Sequence, residues 1–374
     1  MLLAVRGAVQ DDRSRVMAHR YALVHDWMAV FGGAEEMFRH VCELYEGPIF
    51  TSQFNPAAYP FLKGREVRTT WIDRMPLAHT KHYVYAPFAP GAYRSMDFGG
   101  FDALLVDSHS FAHHVRKPAG AKMLCYYHTP IRSLWMPEVD KRMSGFPQSL
   151  FARRMRAADL AASRTADVIL ANSETTAERI RRFYGREPHA VVYPPVDTRK
   201  WSVVHRKSDD EGMLMWGRLI PYKRVDLGIE AARATGIKLN IVGNGPMRAA
   251  LEQQAQGLKH VVFHGRLDDP DLMALMERSL CTLFPAYEDF GIVPVESLAA
   301  GLPVVALGAG GSSETVTPEC GVQIHEQTGE ALAAGVLALQ GRTFDAAVLK
   351  AQAARFDAEV FRSRYQAAVT EMLS

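Results

Sequence analysis

The sequence predicts an α/β chain of two domains, each built on a mostly parallel sheet, with a cleft between them. Three observations carry that expectation. Short apolar runs alternate with helical patterns from about residue 20 to residue 192, as in parallel strands joined by crossover helices. Pro194-Pro195-Val196-Asp197 then breaks the pattern, and a polar stretch ending in Ser208-Asp209-Asp210-Glu211 follows. A second alternation opens at Gly212. With 374 residues, 48% apolar and 22% charged, the chain holds enough material for two cores of ordinary size.

Taken in order, residues 1–18 begin with a short apolar run and then turn charged. They read as a disordered extension and not as a signal peptide, because the apolar region is too short and no cleavage site follows. The first domain is expected over 19–196. Its first strand falls at 21–24, a loop at 25–31, a turn at Gly32-Gly33 and an amphipathic helix at 34–44. Further strands read at 48–51, 66–69, 103–107, 122–127, 167–171 and 190–192, with helices at 150–165 and 175–184. Residues 197–211 read as a linker. The second domain, 212–343, carries strands near 213–216, 238–242, 261–264, 280–284, 303–307 and 321–324. Two last helices, at about 344–356 and 358–372, complete the chain as residues 344–374.

The net charge of +2 hides an asymmetry. Residues 1–200 hold 27 Lys and Arg against 20 Asp and Glu, whereas residues 201–374 hold 16 against 21. A basic first half suits an anionic acceptor or an anionic membrane face, and equally a plain solubilising surface. Cys42, Cys125, Cys281 and Cys320 are scattered, with no Cys-x2-Cys pair, so neither a zinc site nor a disulfide framework is expected. Buried thiols in a reducing compartment are. No apolar run approaches the roughly 18 residues of a membrane span. The expectation is a cytoplasmic protein, peripheral on the inner face of the membrane. The basic runs at 153–156 and 179–184 and the aromatic-basic stretch 81–88 are the segments that could touch lipid or a lipid-diphosphate acceptor. Nucleic-acid binding is not expected, since no recognised motif accompanies these charges.

The chemistry-bearing residues fall in strand-to-helix loops. In the string 286–296, Glu288 and Glu296 stand eight apart with Phe290-Gly291-Ile292 and Pro294 between them. The string follows an apolar run and precedes a helix closed by Gly301, so its free N–H groups suit an anion or a sugar hydroxyl. Trp216-Gly217-Arg218, followed by Lys223, sits in another such loop, where two long cations could clamp a diphosphate. Gly32-Gly33 is either a plain tight turn or a place where backbone approaches a phosphate. Glu35 or Glu36 would then cap the helix. Val242-Gly243-Asn244-Gly245 begins like a dinucleotide fingerprint, but position 248 is Arg, so an NAD enzyme is a poor reading. His128 ends an apolar strand and Asn172 another; Asn172 caps the next helix or bonds to substrate.

Together, the Arg218…Lys223 pair and the Glu288-x7-Glu296 motif resemble the C-terminal half of glycosyltransferase family 4, the retaining enzymes of the GT-B fold. The strings His25-Asp26-Trp27 and His128-Thr129-Pro130-x-Arg132-x-x-Trp135 resemble its WbaZ-like bacterial mannosyltransferase branch. The resemblance covers nearly the whole chain from about residue 20. It implies two Rossmann-like domains facing a central cleft, with the last helices crossing back to the first domain. It implies a nucleotide-diphosphate sugar donor, with GDP-mannose first, and a saccharide or polyprenyl-diphosphate-linked acceptor in cell-surface polysaccharide synthesis. It places Gly32, Gly33, Arg218 and Lys223 at the diphosphate, Gly243 and Asn244 near the base, and Glu296 at the ribose. Glu288 with the Phe290-Gly291-Ile292 amides falls at the sugar, and His128 at the transition state. His25, Asp26, Arg132 and Asn172 fall on the acceptor side. The loop 308–314 lines the nucleotide pocket, with Glu314 mainly structural. Neither cofactor nor metal is implied. Other readings on the same residues are transfer from another UDP- or GDP-sugar, a sugar-nucleotide 2-epimerase, and an inactive nucleotide-sugar-binding partner.

Overall fold

A computed structural model describes residues 19–137 and 150–374. The extension expected at 1–18 lies outside the described residues. Every strand read from the alternation is present. The first sheet comprises β1 (Tyr21–His25), β2 (Ile49–Thr51), β3 (Val67–Thr69), β4 (Ala103–Ser108), β5 (Lys122–Tyr127), β6 (Val168–Ala171) and β7 (Ala190–Val191). Their order is β3-β2-β1-β4-β5-β6-β7, all neighbours parallel. The second sheet comprises β8 (Gly212–Trp216), β9 (Leu239–Val242), β10 (Val261–Gly265), β11 (Ser279–Phe284), β12 (Val304–Leu307) and β13 (Gly321–Ile324). Its order is β10-β9-β8-β11-β12-β13, again parallel throughout. Each order reverses beside the domain's first strand, which opens a crevice at the strands' C-terminal ends.

The central strands are buried along their whole length. All residues of β4, β6, β9, β11 and β12 are buried, and most are apolar, as expected of a sheet covered on both faces. In the first domain the helix Gly33–Leu44 contributes Met37, Phe38 and Val41 to one core face with Leu23, Leu105 and Leu124. The helix Glu174–Tyr184 covers the other, through Ala177 and Ile180.

Two details differ from the sequence reading. The stretch read as a linker is not all irregular: Asp197 caps a helix, Thr198–Ser202, whose Trp201 is buried in the second domain's core. The two last helices also part company. Ala346–Ala354 stays on the second domain through Leu349 and Ala353. Only Ala358–Leu373 returns to the first, laying Phe361, Tyr365 and Val369 on its core beside Tyr126. The chain crosses at a parallel bridge between Val196 and Asp357.

Candidate active site

Each functional loop leaves the C-terminal end of a strand, so both domains present their loops to one cleft. On the first domain, β4 carries Asp107 next to its last residue, a fully buried carboxylate between two imidazoles. Its Oδ2 lies 2.6 Å from His25 Nδ1 and its Oδ1 2.7 Å from His128 Nε2. His25 Nε2 in turn lies 3.7 Å from Glu35 Oε1. Glu35, His25, Asp107 and His128 thus form a line of alternating carboxylates and imidazoles that runs from the base of the Gly33–Leu44 helix to the cleft. Burial pushes the His25 imidazole down, but Asp107, with Glu35 behind it, outweighs that and raises it to about 10. Burial would likewise raise Asp107, yet the His128 and His25 rings hold it well below the ordinary carboxylate range. Burial pushes Glu35 up, and the hydrogen bond and charge of His25 outweigh it, leaving Glu35 below its ordinary 4.5.

Linkage gives these shifts a pH signature. His25 has its folded value raised above 6.5, so its stabilisation is complete below pH 6.5 and is lost as pH climbs toward 10. Glu35, depressed on folding, stabilises above 4.5 and loses that contribution in acid. Thermal denaturation followed from pH 6.5 to 10 should therefore show a decline in wild type that His25→Gln flattens. A decline of equal slope in both proteins would remove His25 as its source.

On the second domain, the loop after β8 carries Arg218 and Lys223 beside a small pocket of about 20 Å³ that also touches Trp216, Val242 and Phe284. The Arg218 side chain is exposed and, among the described residues, faces no carboxylate. Lys223 pairs with Glu288 and lies 5.6 Å above the centre of the Phe284 ring. Arg224 next to it holds φ +53°, a strained conformation for a side-chain-bearing residue, locked by Asp226 and Gln327. Glu296 faces the Trp216 indole, whose N–H donates to Oε2 at 3.3 Å, and burial pushes its carboxyl up. Two glycines have steric causes. A Cβ on Gly243 would stand 1.9 Å from the Gly217 carbonyl, so the loops after β8 and β9 touch backbone to backbone. Gly291, at φ +86°, lies flat on Phe284 and opens the helix Ile292–Ala299, which carries Glu296.

The two halves meet directly. A Cβ on Gly33 would lie 3.2 Å from Ile292 Cδ1, which brings the Gly32-Gly33 turn opposite the start of the Ile292–Ala299 helix. Arg132 and Arg179 of the first domain both pair with Asp289 of the second. Arg179 also donates to Thr129 Oγ1 at 3.1 Å and lies over the Tyr287 ring. Glu314 accepts from the amides of Glu174 and Thr175 at 2.8 and 2.9 Å, an acidic group at the N-terminus of a helix in the other domain.

Residues 39–200 match the family model described as Glycosyltransferase Family 4, and residues 197–342 the model described as Glycosyl transferases group 1. The chain belongs to glycosyltransferase family 4. This family 4 protein is 34% identical to D-rhamnosyltransferase WbpZ of Pseudomonas aeruginosa over 142 residues, 37% of this chain and 36% of that one. It is 26% identical to O-antigen chain mannosyltransferase C of Escherichia coli over 206 residues, 53% of each chain. It thus spans between about a third and half of these relatives' length. Among solved structures, Alr3699/HepE of Anabaena in complex with UDP aligns with TM-score 0.71 at 19% identity, covering 94% of this chain and 100% of that one. Sucrose-phosphate synthase of Thermosynechococcus elongatus aligns with TM-score 0.70 at 16% identity, covering 94% and 99%. At such identities the likeness is one of fold, the two-domain GT-B architecture.

The geometry reassigns several residues of this family 4 protein. Asp26 is not open to an acceptor: fully buried, it accepts four backbone N–H bonds, from His109, Ser110, Phe111 and Ala112, at 2.6–2.8 Å. It ties the loop after β4 to the end of β1. His25 is equally enclosed and stands behind His128. Asn172 caps nothing; Ser173 accepts from the Thr176 amide, and the Asn172 side chain accepts from the Ser173 hydroxyl. The Asn244 side chain is engaged by Arg248 at 2.6 Å. Arg132 is a cross-domain partner of Asp289, as is Arg179, which the basic run at 179–184 had offered to lipid. Gly32 is the N-cap and has no side chain to bond there, and Glu35 in the first turn faces His25. Sequence reasoning missed Asp107, Asp289 and the inward role of Glu35. Asp107 had a usable signal, a carboxylate closing an otherwise apolar strand.

The Asp289 bridge carries a prediction. Asp289→Asn leaves two arginines facing an uncharged partner at the domain interface, and removing one partner of such a pair costs about 3 kcal/mol. The domains should part, raising the radius of gyration in solution scattering and lowering the melting temperature. Unchanged scattering together with unchanged melting would show that the bridge does not hold the cleft shut.

Proposed function

We propose that this protein transfers a hexose from a nucleotide-diphosphate sugar, with retention of configuration, onto a saccharide or polyprenyl-diphosphate-linked acceptor, working from the cytoplasmic face of the membrane. The observation that carries this reading is the meeting of two unlike surfaces across one cleft. The second domain offers Arg218 and Lys223 beside a pocket, and the first offers the Gly32-Gly33 turn and His128. A diphosphate seated there would draw Lys223 from Glu288, leaving that carboxylate for sugar hydroxyls. Glu296, near Trp216, would hold the ribose, with the 290–292 amides orienting the sugar. The bond from C1 to the phosphate oxygen breaks as the acceptor oxygen bonds to C1 on the same face. The departing phosphate takes the acceptor's proton, and the two cations stabilise its charge without a metal.

GDP-mannose is the first donor to try. The WbaZ-like motifs favour it, and one relative, 35% identical over 133 residues, is named a GDP-mannose-dependent mannosyltransferase. The test is a donor panel of GDP- and UDP-hexoses, with released nucleotide and product followed by mass. Turnover of GDP-mannose in the presence of chelator, with the anomeric configuration kept by NMR, is the expected result. Nucleotide binding with no turnover of any donor would leave only a binding role, and turnover that stops with chelator would end the metal-free scheme.

A further inference from the structure

The segment that follows β3 is unusual for a protein surface. Twelve large apolar side chains are exposed among the described residues, and six of them fall within 71–88: Trp71, Met75, Leu77, Tyr83, Val84 and Phe88, each 39–57% exposed. Exposed apolar residues scattered singly need no explanation, but half of them gathered in 18 residues do. The two ends of the segment are joined, since the Trp71 and Phe88 rings stand 6.3 Å apart, edge to face. Leu77 at its tip holds φ +63°, one of two positive-φ residues other than glycine among the described residues. Its carbonyl accepts from the amides of Thr80 and Lys81 at 3.1 and 2.7 Å. The chain therefore spends strain to present a leucine to solvent, where folding gains nothing from it.

The charge among these side chains leans positive. Within 71–88 the cations are Arg74 and Lys81 and the only acid is Asp73, while Arg68 just before the segment is paired with Glu66 at 2.7 Å. Asp73 is turned to the Phe54 amide, accepting at 2.8 Å. Amphipathic aromatics, aliphatic tips and flanking Arg and Lys are the side chains that settle at a bilayer's headgroup boundary, the cations drawn by anionic lipid. β3 is the edge strand of the first sheet, and its C-terminal end, from which this segment leaves, lies on the cleft side. We infer that residues 71–88 form a membrane-docking surface for an anionic bilayer, seating the acceptor-side domain so that the cleft opens at the lipid surface. This deepens the proposed function, on which the lipid-linked acceptor rests; of the segments the sequence offered to lipid it keeps the stretch 81–88 and extends it back to Trp71, whereas Arg179 is held at the domain interface by Asp289.

Leu77→Gly is the informative variant. Glycine accepts the positive φ without strain, so the melting temperature should hold or rise, unlike the effect of truncating a core leucine. Binding to phosphatidylcholine vesicles containing phosphatidylglycerol should weaken about fivefold in co-sedimentation, since roughly one partly buried leucine is lost. Arg74→Glu with Lys81→Glu should abolish the dependence on lipid charge and salt. Turnover of GDP-mannose in buffer should stay at the wild-type level in all variants. Equal vesicle binding by wild type and variants, binding indifferent to lipid charge, or a concentration-dependent dimer in light scattering that Leu77→Gly disperses would each overturn the surface, the last assigning it to a second copy of the chain. Absence of GDP-mannose turnover in wild type that still binds vesicles would instead strike the proposed reaction and leave the surface standing.

Discussion

Arg218→Ala and Lys223→Ala should each lower kcat/KM by about 2–4 kcal/mol, roughly 30- to 1,000-fold, through loss of a charge-assisted contact to the departing diphosphate. The two losses should not be equal. Arg218 is exposed and faces no carboxylate among the described residues, so its removal deletes one contact and leaves the fold untouched. Lys223 is engaged by Glu288, so Lys223→Ala also leaves that carboxylate unneutralised where the phosphates must sit. The larger loss should belong to Lys223→Ala, accompanied by weaker nucleotide binding in calorimetry. Lys223→Ala with Glu288→Gln should recover part of that binding, though not turnover, because Glu288 is also needed at the sugar. Arg218→Lys should rescue poorly, since a point charge cannot replace a planar fork. If both alanine variants keep wild-type turnover with the donor that wild type uses, the diphosphate is held elsewhere.

How much of this was legible before the structure depends on the range of each interaction. Most strands could be read because they are short apolar runs buried on both faces, a local pattern that parallel sheets impose, while the edge strands β3, β7 and β10 are partly exposed. Arg218, Lys223, Glu288 and Glu296 could be read as a set because each pair sits within one loop and its helix. What could not be read is what depends on pairing across domains. Asp289 directly follows Glu288 in the chain, yet nothing local shows that Arg132, 157 residues away, and Arg179, 110 residues away, converge on it. Asp26 was misread for a related reason. The resemblance of its His25-Asp26-Trp27 string placed it on the acceptor side, and only the fold of the loop after β4 shows that four amides already saturate it.

The largest effect of a residue that need not touch the donor should come from Asp107. His128 binds this carboxylate through Nε2, which fixes the proton on that nitrogen and leaves Nδ1 for the cleft. If His128 then steadies the sugar as positive charge develops at C1, His128→Ala should reduce kcat about a hundredfold or more while GDP affinity stays near wild type. Asp107→Asn keeps the shape but removes the charge, and its amide can donate to the imidazole and reverse the tautomer. A loss of similar size should follow, because the histidine is then present in the wrong form. Asp107 also binds His25, so its replacement will lower thermal stability, and activity alone cannot separate the two roles. The double variant can. If Asp107 acts through His128, then Asp107→Asn with His128→Ala should cost little more in kcat than the worse single change, whereas independent structural damage would add. Additive losses, normal turnover in His128→Ala, or activity lost only as the protein unfolds would each remove Asp107 and His128 from the chemistry and return them to the scaffold.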